Sequence, residues 1–173
     1  LLDGVRRLGF AGVNVTFPYK EAVIPLLDEL SPDARTIGAV NTVVVRDGRL
    51  VGYNTDSSGF ARAIGDLVAG SKHGAVALIG AGGVGKAIAF ALASLGIAGL
   101  NIFDADRVKA EALSSQLHGR LKARVTDDVA GALEGVVGVV NGTPVGMLPD
   151  RGMAVQDALL HGGLWVADAV YTP

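Results

Sequence analysis

Two groups of residues in this chain are of types that could do chemistry. The first is three polar clusters: Asn14-Val15-Thr16-Phe17-Pro18-Tyr19-Lys20, Gly38-Ala39-Val40-Asn41-Thr42 and Gly52-Tyr53-Asn54-Thr55-Asp56. Gathered in one place, their amides, hydroxyls, ammonium and carboxylate would suit a polyhydroxylated substrate, with Lys20 and Asp56 as a proton-transferring pair. Each also has a plainer reading. Lys20 could be a solvated residue at a helix start, Asp56 a helix N-cap, and Asn41-Thr42 simple turn chemistry.

The second group is the loop Gly80-Ala81-Gly82-Gly83-Val84-Gly85-Lys86-Ala87. It fits G-x-G-x-x-G, the dinucleotide fingerprint, and nearly fits G-x-x-x-x-G-K-[ST], the P-loop. Ala87 decides between them, because a P-loop needs a hydroxyl there to hold magnesium. Phosphoryl transfer is disfavoured. Glycines let a pyrophosphate approach the backbone, and the following helix N-terminus attracts the anion. Asp104 stands 19 residues beyond Gly85, where a carboxylate can accept hydrogen bonds from ribose hydroxyls and repel a 2′-phosphate. That favours NAD over NADP. Asp106 adds to this sign, whereas Arg107 and Lys109 oppose it. The plainer alternative is a Gly-rich turn with a helix-capping Asp.

The elements that must position these groups follow from periodicity. Val13–Phe17 reads as a short strand stopped by Pro18, and Glu21–Leu30 as a helix that Pro25 kinks. Val43–Val45 and Leu50–Val51 flank Asp47-Gly48, the signature of a type I′ hairpin. A helix is expected from about Gly59 to Val68, then a linker, Gly70-Ser71-Lys72-His73-Gly74. Beyond it, strands are expected at Ala75–Ile79, Leu100–Phe103, Leu121–Val125, Val136–Val140 and Leu164–Ala167. Helices are expected at Val84–Leu95, Val108–Leu117 and near Ala154–Leu160. This alternation implies an α/β fold: a Rossmann-type, doubly wound parallel sheet over 70–173, preceded by part of a smaller α/β domain over 1–69.

Composition bounds the reading. Half of the 173 residues are hydrophobic, so the chain can bury a sizeable core, and with 25 Gly and 5% aromatics that core is thin and aliphatic. A net charge of −2 without a basic block gives no footprint for nucleic acid. The apolar stretch from Ala75 to Phe103 is broken early by Gly80, Gly82, Gly83, Gly85 and Lys86, so no membrane span is expected. There is no Cys, and His73, His118 and His161 are far apart, so no metal site is expected.

Together these motifs resemble the shikimate dehydrogenase family, including its quinate/shikimate branch. N-[VI]-T-x-P-x-K matches Asn14 to Lys20, G-A-V-N-T matches Gly38 to Thr42, and G-x-N-T-D matches Gly52 to Asp56. G-A-G-G-x-G matches Gly80 to Gly85, N-x-T-P-x-G-M matches Asn141 to Met147, and D-x-x-Y-x-P matches Asp168 to Pro173. The resemblance implies reversible hydride transfer between NAD(P) and shikimate/3-dehydroshikimate or quinate/3-dehydroquinate. Lys20 would be the acid/base and Asp56 its partner. Thr16, Asn41, Asp56 and Tyr171 would bind substrate. Gly80, Ala81, Gly82, Gly83, Val84, Asp104, Lys109, Thr143, Pro144, Val145, Gly146, Met147 and Ala169 would bind the cofactor. NAD is expected as cofactor ahead of NADP, since Asp104-Ala105-Asp106 replaces the Asn-Arg-Thr of NADP-using members. Ser57-Ser58-Gly59 after Asp56 is also closer to the quinate/shikimate branch.

Family members open with a Ser-rich substrate segment, S-x-S-P, and close with a helix bearing a substrate-facing Gln. Neither is in this sequence, so the chain reads as a fragment roughly a hundred residues short of family size. The expected partners are a small-molecule substrate and a second copy in a homodimer, and the expected location is the cytoplasm. A non-catalytic dinucleotide-binding module and a related reductase of another carbonyl are the competing readings. The second of these leaves the Asn-Thr-Lys-Asp set unexplained.

Overall fold

A computed structural model describes residues 1–71 and 74–170. Lys72 and His73 of the expected linker, and Tyr171 of the expected substrate set, lie outside the described residues. The elements in chain order are α1 (Leu2–Arg7), β1 (Gly12–Asn14), β2 (Glu29–Leu30), α2 (Pro32–Ile37), β3 (Thr42–Arg46), β4 (Arg49–Tyr53) and α3 (Asp56–Ala69). They continue with β5 (Ala75–Ile79), α4 (Gly83–Ser94), β6 (Gly99–Phe103), α5 (Arg107–Gln116), β7 (Ala123–Val125), α6 (Val129–Leu133), β8 (Val136–Asn141) and β9 (Trp165–Asp168).

Two sheets result. The first is mixed, with order β1-β3-β4-β2. Its centre is the expected hairpin: Val43 pairs with Gly52 and Arg46 with Arg49, while Asp47 (φ 49°) and Gly48 (φ 74°) take the left-handed turn conformation. The second sheet is wholly parallel, with order β7-β6-β5-β8-β9. The chain starts at the central strand β5, winds outward through β6 and β7, then returns to β8 on the other side. The switch in winding direction therefore falls between β5 and β8, where ligands enter such sheets.

The main core lies between the parallel sheet and α3 and α4. Val76, Leu78, Leu100, Ile102 and Val140 meet Ile64, Val68, Ile88 and Leu92 there. α4 is Ala-rich and buried on most sides, so its backbone can lie close to the sheet. A second cluster on the opposite face joins Ala77, Ile79 and Val139 to Ala132 of α6. A third, formed by Val23, Ala34, Val40, Val43 and Leu50, sits on the mixed sheet.

Three expected elements differ. The helix expected over Glu21–Leu30 is a series of turns with a three-residue 3₁₀ segment, Ile24–Leu26, followed by β2. Pro25 has no N–H for a helical bond, and Glu29 and Leu30 instead gain a parallel partner in β4. The strand expected to reach Phe17 stops at Asn14, and the chain turns there, with Tyr19 N–H bonding to Thr16 O. The helix expected near Ala154–Leu160 is only a 3₁₀ turn at Asp157–Leu159. Three short helices, α1, α2 and α6, had no clear periodic signal because five or six residues hold too few repeats.

Candidate active site

Lys20 lies in the turn after β1, and Asp56 is the first residue of α3. Their side chains meet, with Lys20 Nζ 2.7 Å from Asp56 Oδ2. The lysine side chain is 13% exposed and the carboxylate 29%, so the pair opens to solvent mainly on the aspartate side. Four bonds fix this geometry. Lys20 O accepts from Val40 N–H at 2.8 Å, which ties the lysine's segment to the start of β3. Asn41 Nδ2 donates to Asp56 Oδ1 at 2.9 Å and to Thr55 Oγ1 at 2.8 Å. Asn41 Oδ1 accepts from Thr55 N–H at 3.0 Å. Thus Lys20, Asn41 and Asp56 converge. Thr16 is exposed in the turn preceding Lys20.

Asn54 was missed. Its Oδ1 accepts from the N–H groups of Asp56 (3.0 Å) and Ser57 (3.3 Å), capping α3, while its Nδ2 donates to Ala39 O at 3.0 Å. The side chain that accepts from the first N–H groups of α3 is therefore Asn54, next to the N-cap position Thr55, and not Asp56, whose carboxylate faces Lys20. The signal was present in Asn54-Thr55-Asp56, since Asn is as good an N-cap as Asp.

The glycine loop lies between β5 and α4. Gly80 has φ 101°, and a Cβ on Gly85 would fall on the Gly80 carbonyl, so these glycines make the turn and the close helix packing. A Cβ on Gly82 would meet nothing within 4 Å. That leaves space at the N-terminus of α4, whose first turn carries no acidic residue. A pyrophosphate fits such a cradle. Ala81 and Val84 complete the loop, and Gly83 faces Lys20, whose Cβ would be 3.1 Å from a Cβ placed there. The polar cluster and the glycine loop therefore form two walls of one cleft.

Asp104 follows β6, and both its carboxylate oxygens are engaged. Oδ2 accepts from Ala81 N–H at 2.6 Å and Oδ1 from Asp106 N–H at 2.8 Å. A carboxylate has about four acceptor positions, so two stay free for ribose hydroxyls. Asp106 caps α5 by accepting from Val108 N–H at 3.2 Å. Arg107 is held between Glu111 (2.8 Å) and Asp127. The Glu111 hydrogen bond, then that of Asp127, raises the guanidinium pKa above its ordinary value. Lys109 is exposed, 3.7 Å from Asp106.

The loop after β8 is organised by buried Asn141. Its Nδ2 donates to Asp168 Oδ1 (2.9 Å) and Val145 O (3.2 Å), and its Oδ1 accepts from Thr143 N–H (2.9 Å) and Thr143 Oγ1 (2.7 Å). Its carbonyl accepts from Ala169 N–H at 2.9 Å. Thr143, Pro144, Val145, Gly146 and Met147 thus stand beside the glycine loop, where Gly142 N–H bonds to Ile79 O at 2.7 Å. Asn141 and Asp168 hold this loop in place, a role that sequence reasoning did not assign them. A cavity of about 430 Å³ near α6, lined by Phe103, Val129, Met153 and Leu159 among others, shares no residue with the cleft. Among the described residues no group of three or more His, Asp or Glu could hold a metal, and no helix is long and apolar enough to cross a membrane.

The parallel order with a glycine loop at its switch point defines a Rossmann-type α/β protein, to which a mixed-sheet unit adds a lysine–aspartate pair. Residues 1–43 match the family model for the shikimate dehydrogenase substrate binding domain, and residues 64–127 match that of the ThiF family. The second match spans the glycine loop and its first βαβ unit, whereas similarity to dehydrogenases runs through the whole chain. It is 45% identical over its full length to shikimate dehydrogenase (NADP(+)) of Pseudarthrobacter chlorophenolicus, covering 61% of that protein. It is 43% identical over its full length to quinate/shikimate dehydrogenase (NAD(+)) of Corynebacterium efficiens, covering 63% of it. Quinate dehydrogenase from Corynebacterium glutamicum in complex with NAD superposes with a TM-score of 0.83 at 40% identity, over 98% of this chain and 62% of that one. Over its whole length, then, the chain is similar to members of the shikimate dehydrogenase family. It spans about three fifths of the length of the curated relatives it matches.

Proposed function

We propose that the protein containing this chain is an NAD(P)-dependent dehydrogenase that interconverts shikimate and 3-dehydroshikimate, or quinate and 3-dehydroquinate. Residues 1–69 contribute to the substrate side and 70–173 to the dinucleotide side. The observation that carries the reading is the Lys20–Asp56 contact of 2.7 Å, set against Gly83 of the nucleotide loop. Oxidation of a secondary alcohol removes a hydride from carbon and a proton from oxygen, so a hydride acceptor and a proton acceptor must reach one carbinol. The nicotinamide supplies the first. Lys20 supplies the second: its amine takes the hydroxyl proton as the carbonyl forms, and its ammonium returns that proton in reduction. Asp56, steadied by Asn41, orients the ammonium and accepts from a neighbouring substrate hydroxyl. Thr16 and Asn41 bind further hydroxyls, and Tyr171 is proposed as a substrate residue from its place in the motif Asp168 to Pro173 alone.

Gly80, Ala81, Gly82, Gly83 and Val84 would hold the pyrophosphate and Asp104 the adenosine ribose. Thr143 to Met147 and Ala169 would line the nicotinamide side. NAD is the favoured cofactor. Support comes from two carboxylates, Asp104 and Asp106, just after β6 on the side this reading gives to the adenosine ribose, and from Arg107 and Lys109 being already paired with carboxylates. Relatives of both cofactor types exist, so the test is direct. NADH and NADPH formation is followed in the full-length protein with quinate and with shikimate. Turnover with NAD is expected, and the faster alcohol names the substrate. Absence of turnover with all four pairs, while NADH still binds, would replace this reading with a non-catalytic binding module.

A further inference from the structure

Lys86 holds the position that makes the glycine loop look like a P-loop, and the dehydrogenase reading gives it no task. Its ammonium lies 2.8 Å from Glu21 Oε2, and its side chain is only 13% exposed. Glu21 is the neighbour of Lys20, so this ion pair joins α4 to the segment that carries the proton-transferring residue. Gly83 lies three residues earlier on the same helix, hence on the same face as Lys86. A Cβ at Gly83 would come 3.1 Å from Lys20 Cβ and 3.6 Å from Lys20 Cδ. The face that meets Lys20 thus carries a missing side chain where the lysine stem passes and a cation one turn on.

Packing alone does not fix this seam. A cavity of about 90 Å³ lies along it, lined by Phe17, Pro18, Lys20, Glu21, Gly83 and Val84. The segment around Lys20 therefore has room to shift relative to α4, and the Glu21–Lys86 pair opposes that shift from the α4 side, as the Lys20–Asp56 and Lys20 O–Val40 bonds do from the other. We propose that Gly83 and Lys86 are positioning residues. Gly83 provides clearance for the Lys20 stem, and Lys86 clasps Glu21 to hold the lysine against the nucleotide loop. In this arrangement Lys86 binds the neighbouring segment, not a phosphate of the cofactor. The proposal rests on the dehydrogenase reading for its effect on turnover, but not for its effect on Lys20.

The test compares wild-type full-length protein with Lys86→Met, Lys86→Arg and the exchanged pair Glu21→Lys/Lys86→Glu. Three quantities are read: kcat and KM for the faster alcohol, the Kd for NADH by fluorescence, and the rate of Lys20 acetylation by acetic anhydride, resolved by mass spectrometry. Because small misplacements of a reacting group are costly, Lys86→Met should lower kcat about tenfold while the NADH Kd moves less than about twofold. Loosening the segment should raise Lys20 acetylation about threefold. Lys86→Arg should restore both, and the exchanged pair should recover part of each loss. A rise in NADH Kd of about tenfold with Lys20 acetylation unchanged would make Lys86 a phosphate ligand and overturn the proposal. Unchanged kcat and unchanged acetylation would also overturn it. If Lys86→Met does not fold, the exchanged pair decides, since restored charge complementarity without restored Lys20 reactivity contradicts a clasp. If wild-type protein oxidises neither alcohol, the dehydrogenase reading fails, and acetylation alone still settles whether Lys86 positions Lys20.

Discussion

At the glycine loop the working groups belong to the backbone. On the proposed reading the loop works because side-chain atoms are absent at Gly80, Gly82 and Gly85, and because no side chain caps the start of α4. Across the cleft the working groups are side chains: Lys20 bonds to Asp56, Asn41 to Thr55 and Asp56, and Asn54 to Ala39 O, across sequence separations of 14 to 36 residues. The first wall is therefore broken by adding atoms and the second by deleting them. A nucleotide loop can be recognised from eight consecutive residues, whereas a proton-transfer site exists only after the mixed sheet has assembled.

The largest effect should come from deleting atoms at the second wall. Lys20→Ala in the full-length protein should reduce kcat about 10³-fold, within the range expected for a lost acid/base, while the NADH Kd changes less than about twofold. Steady-state rates and fluorescence titration check this. Retained turnover would remove Lys20 from its role and leave the two walls without a functional difference. The converse change adds one carbon to the first wall. Gly85→Ala sets a methyl group on the Gly80 carbonyl, an overpacking worth about 1–3 kcal/mol. Calorimetry should show a fall in Tm of several degrees, and NADH binding should weaken with it.

The same contrast explains what the sequence revealed. From β5 to β8 the strands are continuous apolar runs, the longer helices recur at regular spacing, and observed ends lie within about two residues of expectation. Residues 15–41 are different. Pro18, Pro25 and Pro32 interrupt any periodicity, and Leu26 stays exposed although helical spacing would bury it. Their conformation is set by distant partners: Lys20 O by Val40, Asp28 by Leu50, and Ser31 N–H by Gly52. Motif resemblance located Lys20, Asn41 and Asp56, but Asn54 and Asn141 act through bonds to residues elsewhere in the fold. The capping role of Asn54 was legible in Asn54-Thr55-Asp56, but no local pattern shows its bond to Ala39 O or the bond from Asn141 to Asp168.

A change at Asn54 tests whether side chains of this second wall support one another. Asn54→Ala removes the cap from α3 and leaves Ala39 O without its donor, a loss of about 1–2 kcal/mol. Because Asp56 begins that helix, kcat should fall as well, with NADH binding preserved. A change at Asp104 sharpens the other side. Asp104→Asn keeps an oxygen for the Ala81 N–H but removes one negative charge near the expected ribose site. At an effective separation of about 4 Å in water the charge is worth about 1 kcal/mol, so the NADPH-to-NADH affinity ratio should rise about fivefold. A ratio that does not move would place cofactor selection elsewhere, with Arg107 and its carboxylates the first candidates.

The smallest expected effect concerns what holds the mixed sheet together without touching the cleft. Asp28 Oδ2 accepts from Leu50 N–H at 2.6 Å and from Arg6 at 2.8 Å, joining α1 and β2 to β4. The Leu50 hydrogen bond first, then the Arg6 charge, lowers its pKa below the ordinary 3.8. A carboxyl group with a depressed folded-state pKa stabilises fully above its unfolded value, and that stabilisation is lost as pH falls through the lowered one. The Tm difference between wild type and Asp28→Asn should therefore be constant near neutrality and vanish on acidification below pH 3.8. Because Asp28 is a third exposed, the difference will be modest. NADH binding should not respond to it at any pH, since no residue of the glycine loop bonds to Asp28. A matched loss of NADH affinity would mean that the two walls are mechanically continuous, and the contrast between them would hold only for how each is damaged.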